Sequence, residues 1–316
     1  MTVAYTDHFF GEEYPLDPAE RDGPGTWHAF LRLQLEKRGN RSALTRVKHR
    51  GPLCVQKPFY PEGQDLAHLY ILHPPGGIVS GDVLSVVAEI GQQTHALFTA
   101  PGAGRAYRAR AAHMKQIQDV VVNVGAHGSA EWLPQENILY PGSRAAMHTR
   151  INLSAGSHFI GWDITSFGLP AQGDAFTSGE FTQKFSIWQL EKPLFAERFF
   201  VCDHNRHLMT SRAGLQGHAM QGLFVAGPFD VCEVTRNPVT DALLDQCRAL
   251  SSDAQDNARK TQRKLLAGIT HINGFLVGRC LAHCSEDIKK LFARYWATVR
   301  PALLNRPACA PRIWAT

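Results

Sequence analysis

The chain has 316 residues, 44% hydrophobic and only 19% charged, with a formal net charge of +5. Its basic residues are scattered and carry no helix-turn-helix, zinc-finger or RNA-binding signature, so no nucleic-acid partner is expected. No apolar run reaches the ~18 residues of a membrane-spanning helix, so no membrane partner is expected either. The segment "MTVAYTDHFFGEEYPLD" lacks the basic-then-apolar order of a secretory signal, and the seven cysteines form no regular framework. These features predict a reduced, cytoplasmic protein, and the low charge suits large protein contacts.

Residues 1–26 are polar and rich in Pro and Gly, and they read as a flexible N-terminal arm ahead of a β-rich domain over 27–316. From Trp27 the chain breaks into short runs of β-branched and aromatic residues. "TWHAFLRLQLEKR" alternates as a half-buried strand, and "VLSVVAEI", "HALFTA", "IQDVVVNV", "SAEWL", "TRINLS", "HFIGWDI", "FTQKFSIWQL" and "LFAERFFV" follow. Turn signals separate them, and no strand–helix alternation appears over 27–230. The pattern predicts an all-β architecture rather than a Rossmann or TIM fold. No internal repeat of fixed period is visible.

Two helices are predicted in the last third. The first has Asn237 as N-cap, Pro238 at the first helical place, and an apolar face of Val239, Leu243, Leu244, Cys247 and Leu250. "SSDAQDNARKTQRK" then reads as a surface loop or an extended helix end, and "ITHINGFLVGRCL" as one buried strand. The second helix opens at Ser285, buries Ile288, Leu291, Phe292, Tyr295, Trp296 and Val299, and stops at Pro301. Trp314 in the final "PRIWAT" is expected to pack on this helix through Tyr295 or Trp296.

The sequence carries no nucleophile elbow, no phosphate loop and no H-E-x-x-H. "CDHNRH" offers Cys202, Asp203, His204 and His207, and "CLAHC" offers Cys280, His283 and Cys284. Neither has a second half at zinc-finger spacing, so each reads more simply as a polar loop or a buried strand end.

Carboxylates in apolar or glycine-rich settings stand out instead. In "LHPPGGIVSGDVLSV", Pro75-Gly76 suits the centre of a type II turn, Gly77 and Gly81 permit close approach, and Asp82 opens an apolar run. Its plain reading is a hairpin corner in which Asp82 bonds its own backbone; its sharper reading is a corner that positions a functional carboxylate. Glu131 precedes Trp132, and Asp163 follows Trp162. Glu197 shares a strand face with Phe195 and Phe199, where a charge is costly unless paired or bound.

"RGPLCVQKPFYPEG", "HLYILHPPGGIVSGDVLSV", "FTAPGAGRAYRAR", "AEWLPQENILYPGS", "FIGWDITSFGLPAQGDAFTSGEF" and "RPACAPRIWAT" together resemble the UreD (UreH) family of urease accessory proteins, over roughly residues 27–316. The resemblance implies a mostly β single unit of stacked short strands, β-helix-like, with two helices in the C-terminal third. It implies no enzyme. The family's role is a maturation scaffold that binds UreF, reaches the GTPase UreG through it, and docks on apo-urease so that nickel reaches the active site. No cofactor is tightly bound; nickel is in transit. Asp82, Asp163 and Glu197 match positions where the family carries acidic residues linked to an internal passage for nickel. Oxygen ligands suit transit because they hold nickel less tightly than imidazole or thiolate. The family reads Gly-Gly-Asp where this chain has Ser80-Gly81-Asp82, so an altered backbone is expected at Ser80. The rival readings are a metal-dependent hydrolase built on "CDHNRH" and a plain structural or carbohydrate-binding β-protein.

Overall fold

The computed structural model describes residues 5–7, 12–14, 26–110, 114–229 and 238–315. β1 (Tyr5–Asp7) and β2 (Glu12–Tyr14) pair antiparallel. The body is two facing sheets, and the chain alternates between them. In the first sheet β3 (Trp27–Arg38) and β4 (Arg41–Arg50) form a hairpin. β5 (Cys54–Val55) and β6 (Leu66–Leu72) cross to the second sheet, and β7 (Asp82–Ile90) returns beside β3. β8 (His95–Thr99) lies in the second sheet beside β6, the short β9 (Gly104–Ala106) follows, and β10 (Gln116–Val124) lies in the first beside β7. The cycle repeats through β11 (Ser129–Trp132), β12 (Asn137–Leu139) and β13 (Arg144–Leu153), then through β14 (His158–Leu169), β15 (Asp174–Ala175) and β16 (Glu180–Gln189). Each pass lands parallel to the last one, β3–β7–β10–β13–β16 on one side and β6–β8–β11–β14 on the other.

This is mostly β, as the strand pattern of the sequence predicts, and stacked in the β-helix-like way that the resemblance implies. The passes differ in length, since Val83 aligns with Ile117 and Ala146 with Thr182. Structural repetition without a fixed sequence period follows from those unequal connections. The stack ends in antiparallel strands: β17 (Lys192–Val201) closes the first sheet, and β18 (Met220–Gly227) joins β14 in the second.

α1 (Pro238–Lys260), β19 (Leu265–Ile272), β20 (Phe275–Ala282) and α2 (Ser285–Leu304) complete the chain. The predicted cap at Asn237 falls outside the described residues, and Val239 is exposed rather than part of the buried face. The polar "SSDAQDNARK" continues α1. "ITHINGFLVGRCL" is two strands, because Asn273 and Gly274 both take positive φ (48° and 83°), the turn that an Asn-Gly pair makes between hairpin strands. Pro301 does not stop α2: the helix continues past it to Leu304 and ends on left-handed Asn305. A proline inside a helix forfeits a hydrogen bond; here the buried Arg300 and Leu303 that flank it anchor the last turn.

Two cores result. Between the sheets, strand alternation stacks Leu31, Val86, Val120, Thr149 and Phe185 in one register row. On the outer face of the second sheet, Trp162, Ile164, Phe224 and Cys280 pack under both helices. Trp314 lies 5.6 Å from both Trp162 and Trp296, ring centre to ring centre. Trp296 is thus the expected contact and Trp162 an additional one.

Candidate functional site

Between the sheets lies a cavity of about 270 Å³, bordered by His73, Gly76, Gly77, Gln118, Trp132 and Asp163 among others. Its carboxylate comes from β14, where Phe159, Asp163 and Phe167 point inward while Trp162 and Ile164 point to the helices. Asp163 is 8% exposed. Among the described residues its hydrogen-bond partners are neutral and distant: the Thr149 hydroxyl donates at 3.3 Å and the Gln183 amide at 3.5 Å. Burial therefore dominates and pushes its pKa up to about 7, against the pull of Gln183 and Thr149. Gln183 in turn accepts from Gln221 at 2.8 Å, so a polar line runs from Thr149 through Asp163 to Gln221 inside an otherwise apolar core.

His73 is the border residue that sequence reasoning missed. Its Nε2 is buried and has no hydrogen-bond partner among the described residues. Burial lowers its pKa, partly offset by the field of Asp82, so its ring is neutral near pH 7. A histidine directly before Pro-Pro, in a stretch already singled out for Asp82, was the available signal. Gln118 and Gln183 were also legible, since alternation in "IQDVVVNV" and "FTQKFSI" places each on the face that otherwise carries Val or Phe.

Asp82 sits at a corner between the sheets, not in a hairpin. The first turn of that corner centres on Pro74-Pro75, closed by the Gly76 amide donating to the His73 carbonyl at 2.9 Å, rather than on Pro75-Gly76. Gly77 is required by close approach: a Cβ there would stand 2.4 Å from the Tyr107 ring. The second turn has Ser80-Gly81 at its centre, with Asp82 N donating to the Val79 carbonyl at 3.0 Å and Gly81 at φ 88°. Gly81 alone takes the left-handed position, so Ser80 is tolerated without distortion. Its hydroxyl accepts from the Arg110 amide at 2.8 Å. The Asp82 carboxylate accepts from the Val79 amide at 2.8 Å, the plain role of a turn carboxylate, and it is not among the residues bordering the cavity.

Glu197 lies opposite Phe185 on β17, the edge strand and so the rim of the first sheet. Arg279 of β20 donates to it through Nε at 3.0 Å and Nη2 at 2.5 Å. Of the three sequence-predicted carboxylates, Asp163 alone borders this cavity.

Glu131, noted beside Trp132, belongs to a different centre. It faces the helices, fully buried, and accepts from Arg300 at 2.9 and 3.0 Å and from the Trp296 indole at 2.5 Å. Arg300 also grips Glu62 at 2.7 and 2.8 Å, and Glu62 meets His68 at 2.7 Å. "CDHNRH" forms a short 3-10 stretch in which Arg206 ties Asp203, at 2.6 Å, to the carbonyls of Phe176 and Gly179. Among the described residues no three His, Cys, Asp or Glu side chains converge as a metal-binding group, and no helix is long and apolar enough to cross a membrane.

A family model described as UreD urease accessory protein matches residues 28–315. Proteins named urease accessory protein UreD are similar along nearly the whole chain. The one from Marinomonas sp. (strain MWYL1) is 44% identical over 294 residues, 93% of this chain and 91% of its own. The one from Hahella chejuensis is 39% identical over 319 residues and covers 100% of both chains. The one from Alcanivorax borkumensis is 40% identical over 296 residues, 92% of each.

Proposed function

The chain belongs to the UreD family of urease accessory proteins and has a role in urease maturation; from that premise we propose that it is a non-catalytic cytoplasmic scaffold that joins UreF, and UreG through it, to apo-urease and conducts nickel toward the urease active site. Nickel is its cargo, not its cofactor. The observation that carries the reading is Asp163, a carboxylate beside an inter-sheet cavity with two long, neutral hydrogen bonds among the described residues. A buried anion so poorly satisfied is stabilised by a passing dication or by a proton. Conduction needs a site strong enough to admit the ion and weak enough to release it. One carboxylate with amide and hydroxyl neighbours, and the neutral His73 imidazole on the same cavity, meets that condition. Asp82 and Glu197, at a corner and at the rim, would flank this station.

The test is co-expression of the chain with urease subunits, UreF and UreG, followed by pull-down and nickel analysis of urease. Asp163→Asn keeps the shape and removes the charge. The complex should assemble while the nickel content of urease falls. Normal nickel filling with an intact complex overturns the passage role of Asp163.

A further inference from the structure

Where β18 and β20 pair through Met220 and Ala282, two histidines meet. His218 precedes β18 and His283 follows β20. Their ring centres are 5.1 Å apart and their planes 29° apart. His218 is 5% exposed. Its Nδ1 lies 2.9 Å from the Leu215 carbonyl. A carbonyl only accepts, so Nδ1 carries the proton and Nε2 of the neutral ring holds a lone pair. That Nε2 is buried and has no hydrogen-bond partner among the described residues. A buried polar atom without a partner is costly and asks for a reason. A metal-binding histidine is prepared in this way, its other ring nitrogen fixed by a backbone carbonyl.

His283 supplies the second imidazole. It is exposed, so its ring can turn about its side-chain torsions over the buried one. Burial of the ring, the neighbouring His218 and Lys264 all lower its pKa, in that order, so it is neutral near pH 7. The ring centres are within reach of a shared ion about 2.0–2.1 Å from each nitrogen, and turning His283 out of the near-parallel stack would bring its lone pair to that ion.

We propose that His218 and His283 form a two-imidazole site for a first-row divalent cation, reached from solvent on the His283 side, with water completing its coordination shell. Imidazole donors suit nickel, zinc and copper rather than magnesium or calcium. Lys264 near His283 holds the affinity below that of a closed structural site, in keeping with an exchangeable ion. The site is separate from the proposed passage, since neither histidine borders the inter-sheet cavity.

The test strips the full chain with a chelator and titrates it with nickel chloride, and separately with zinc chloride, against a chromophoric competitor. Wild type should bind one ion that His283→Gln lacks or binds at least about tenfold more weakly, the scale seen even when an outer-shell partner is lost. X-ray absorption of the nickel-loaded chain should show imidazole scattering that falls in the variant. Unchanged stoichiometry and affinity in His283→Gln overturns the proposal. His218→Asn should give the same loss; if it fails to fold, His283→Gln, at an exposed position, decides. The readout is metal on this chain, so the state of urease maturation bears on the passage alone.

Discussion

Glu131 and Asp163 are buried carboxylates on neighbouring strands of one sheet, and they face opposite ways. Glu131 looks toward the helices and receives three close donors from Arg300 and Trp296. Asp163 looks into the space between the sheets and receives two long neutral ones. Burial raises the pKa of both, but at Glu131 a guanidinium pulls against it. The difference separates two uses of a buried charge. A carboxylate whose partners are built into the protein fixes the packing of an element, here α2 and the segment after it, through Arg300 and the Pro307 carbonyl. A carboxylate left short of partners beside a cavity is, in the proposed role, completed by a passing ion or a proton.

The largest way to break this contrast is at Arg300. Arg300→Met strands Glu131 and Glu62 as buried anions and should destabilise the protein by about 3–5 kcal/mol. The measurement is the urea midpoint at constant m-value. The double variant Arg300→Met/Glu131→Gln should recover part of the loss, because the two sites share one interaction. A midpoint unchanged by Arg300→Met would refute the clamp.

Asp163 should behave in the opposite sense. Its carboxyl is pushed up to about 7 in the folded chain from an ordinary value of 3.8. Below pH about 4 it is neutral in both states and costs nothing. Between about 4 and 7 the unfolded chain ionises while the folded one keeps its proton, so stability falls as pH rises. Above about 7 the penalty levels off, at most about 4 kcal/mol. Asp163→Asn removes it. The stability of the variant relative to wild type should therefore climb from pH 4 to pH 7 and then flatten. A difference independent of pH would show that Asp163 is satisfied in a way its hydrogen bonds do not reveal.

Trp314 tests whether the helix-covered side depends on more than the ion pairs. It packs on Trp162 and Trp296, and its indole donates to the Thr99 hydroxyl at 3.0 Å. It is only partly buried, so truncation after Ala310 should cost about 2–3 kcal/mol, below the usual loss for a fully buried aromatic. An unchanged melting temperature would make the segment a tail used only for docking.

Strands and their inward faces were legible because period-two alternation is a local signal, and "TWHAFLRLQLEKR" or "FTQKFSIWQL" carries it within a dozen residues. The Asn273-Gly274 turn was equally local, but the apolar run on both sides obscured it. Pro301 misled because its cost is local while its compensation, the burial of Arg300 between Glu131 and Glu62, joins residues far apart in sequence. The same distance hid the site. That Glu131 has an arginine partner and Asp163 has none among the described residues depends on which face of a strand meets α2, and the tryptophan beside each in sequence does not record it. Asp82 was the reverse case: its bond to the Val79 amide is three residues long, and the plain reading of the turn already contained it.

Glu197 falls between the two extremes and sharpens the comparison most finely. Like Glu131 it has an arginine; like Asp163 it sits on an inward strand face. Yet its side chain is 30% exposed and that of Arg279 is 49% exposed. Water screens such a pair, so Glu197→Gln should change stability by less than about 1 kcal/mol. If Glu197 serves only to tie β17 to β20 across the rim, Arg279→Met and Glu197→Gln should have the same small effect and leave nickel transfer to urease intact. If instead it guides the cation, the two variants part company. Glu197→Gln removes a negative charge and should lower the nickel content of matured urease, whereas Arg279→Met frees that charge from its partner and should not. Assembly of the complex, followed by pull-down, must hold in both for the comparison to count. Equal nickel filling with both variants would assign Glu197 to the architecture of the rim and leave Asp163 as the acidic station of the passage.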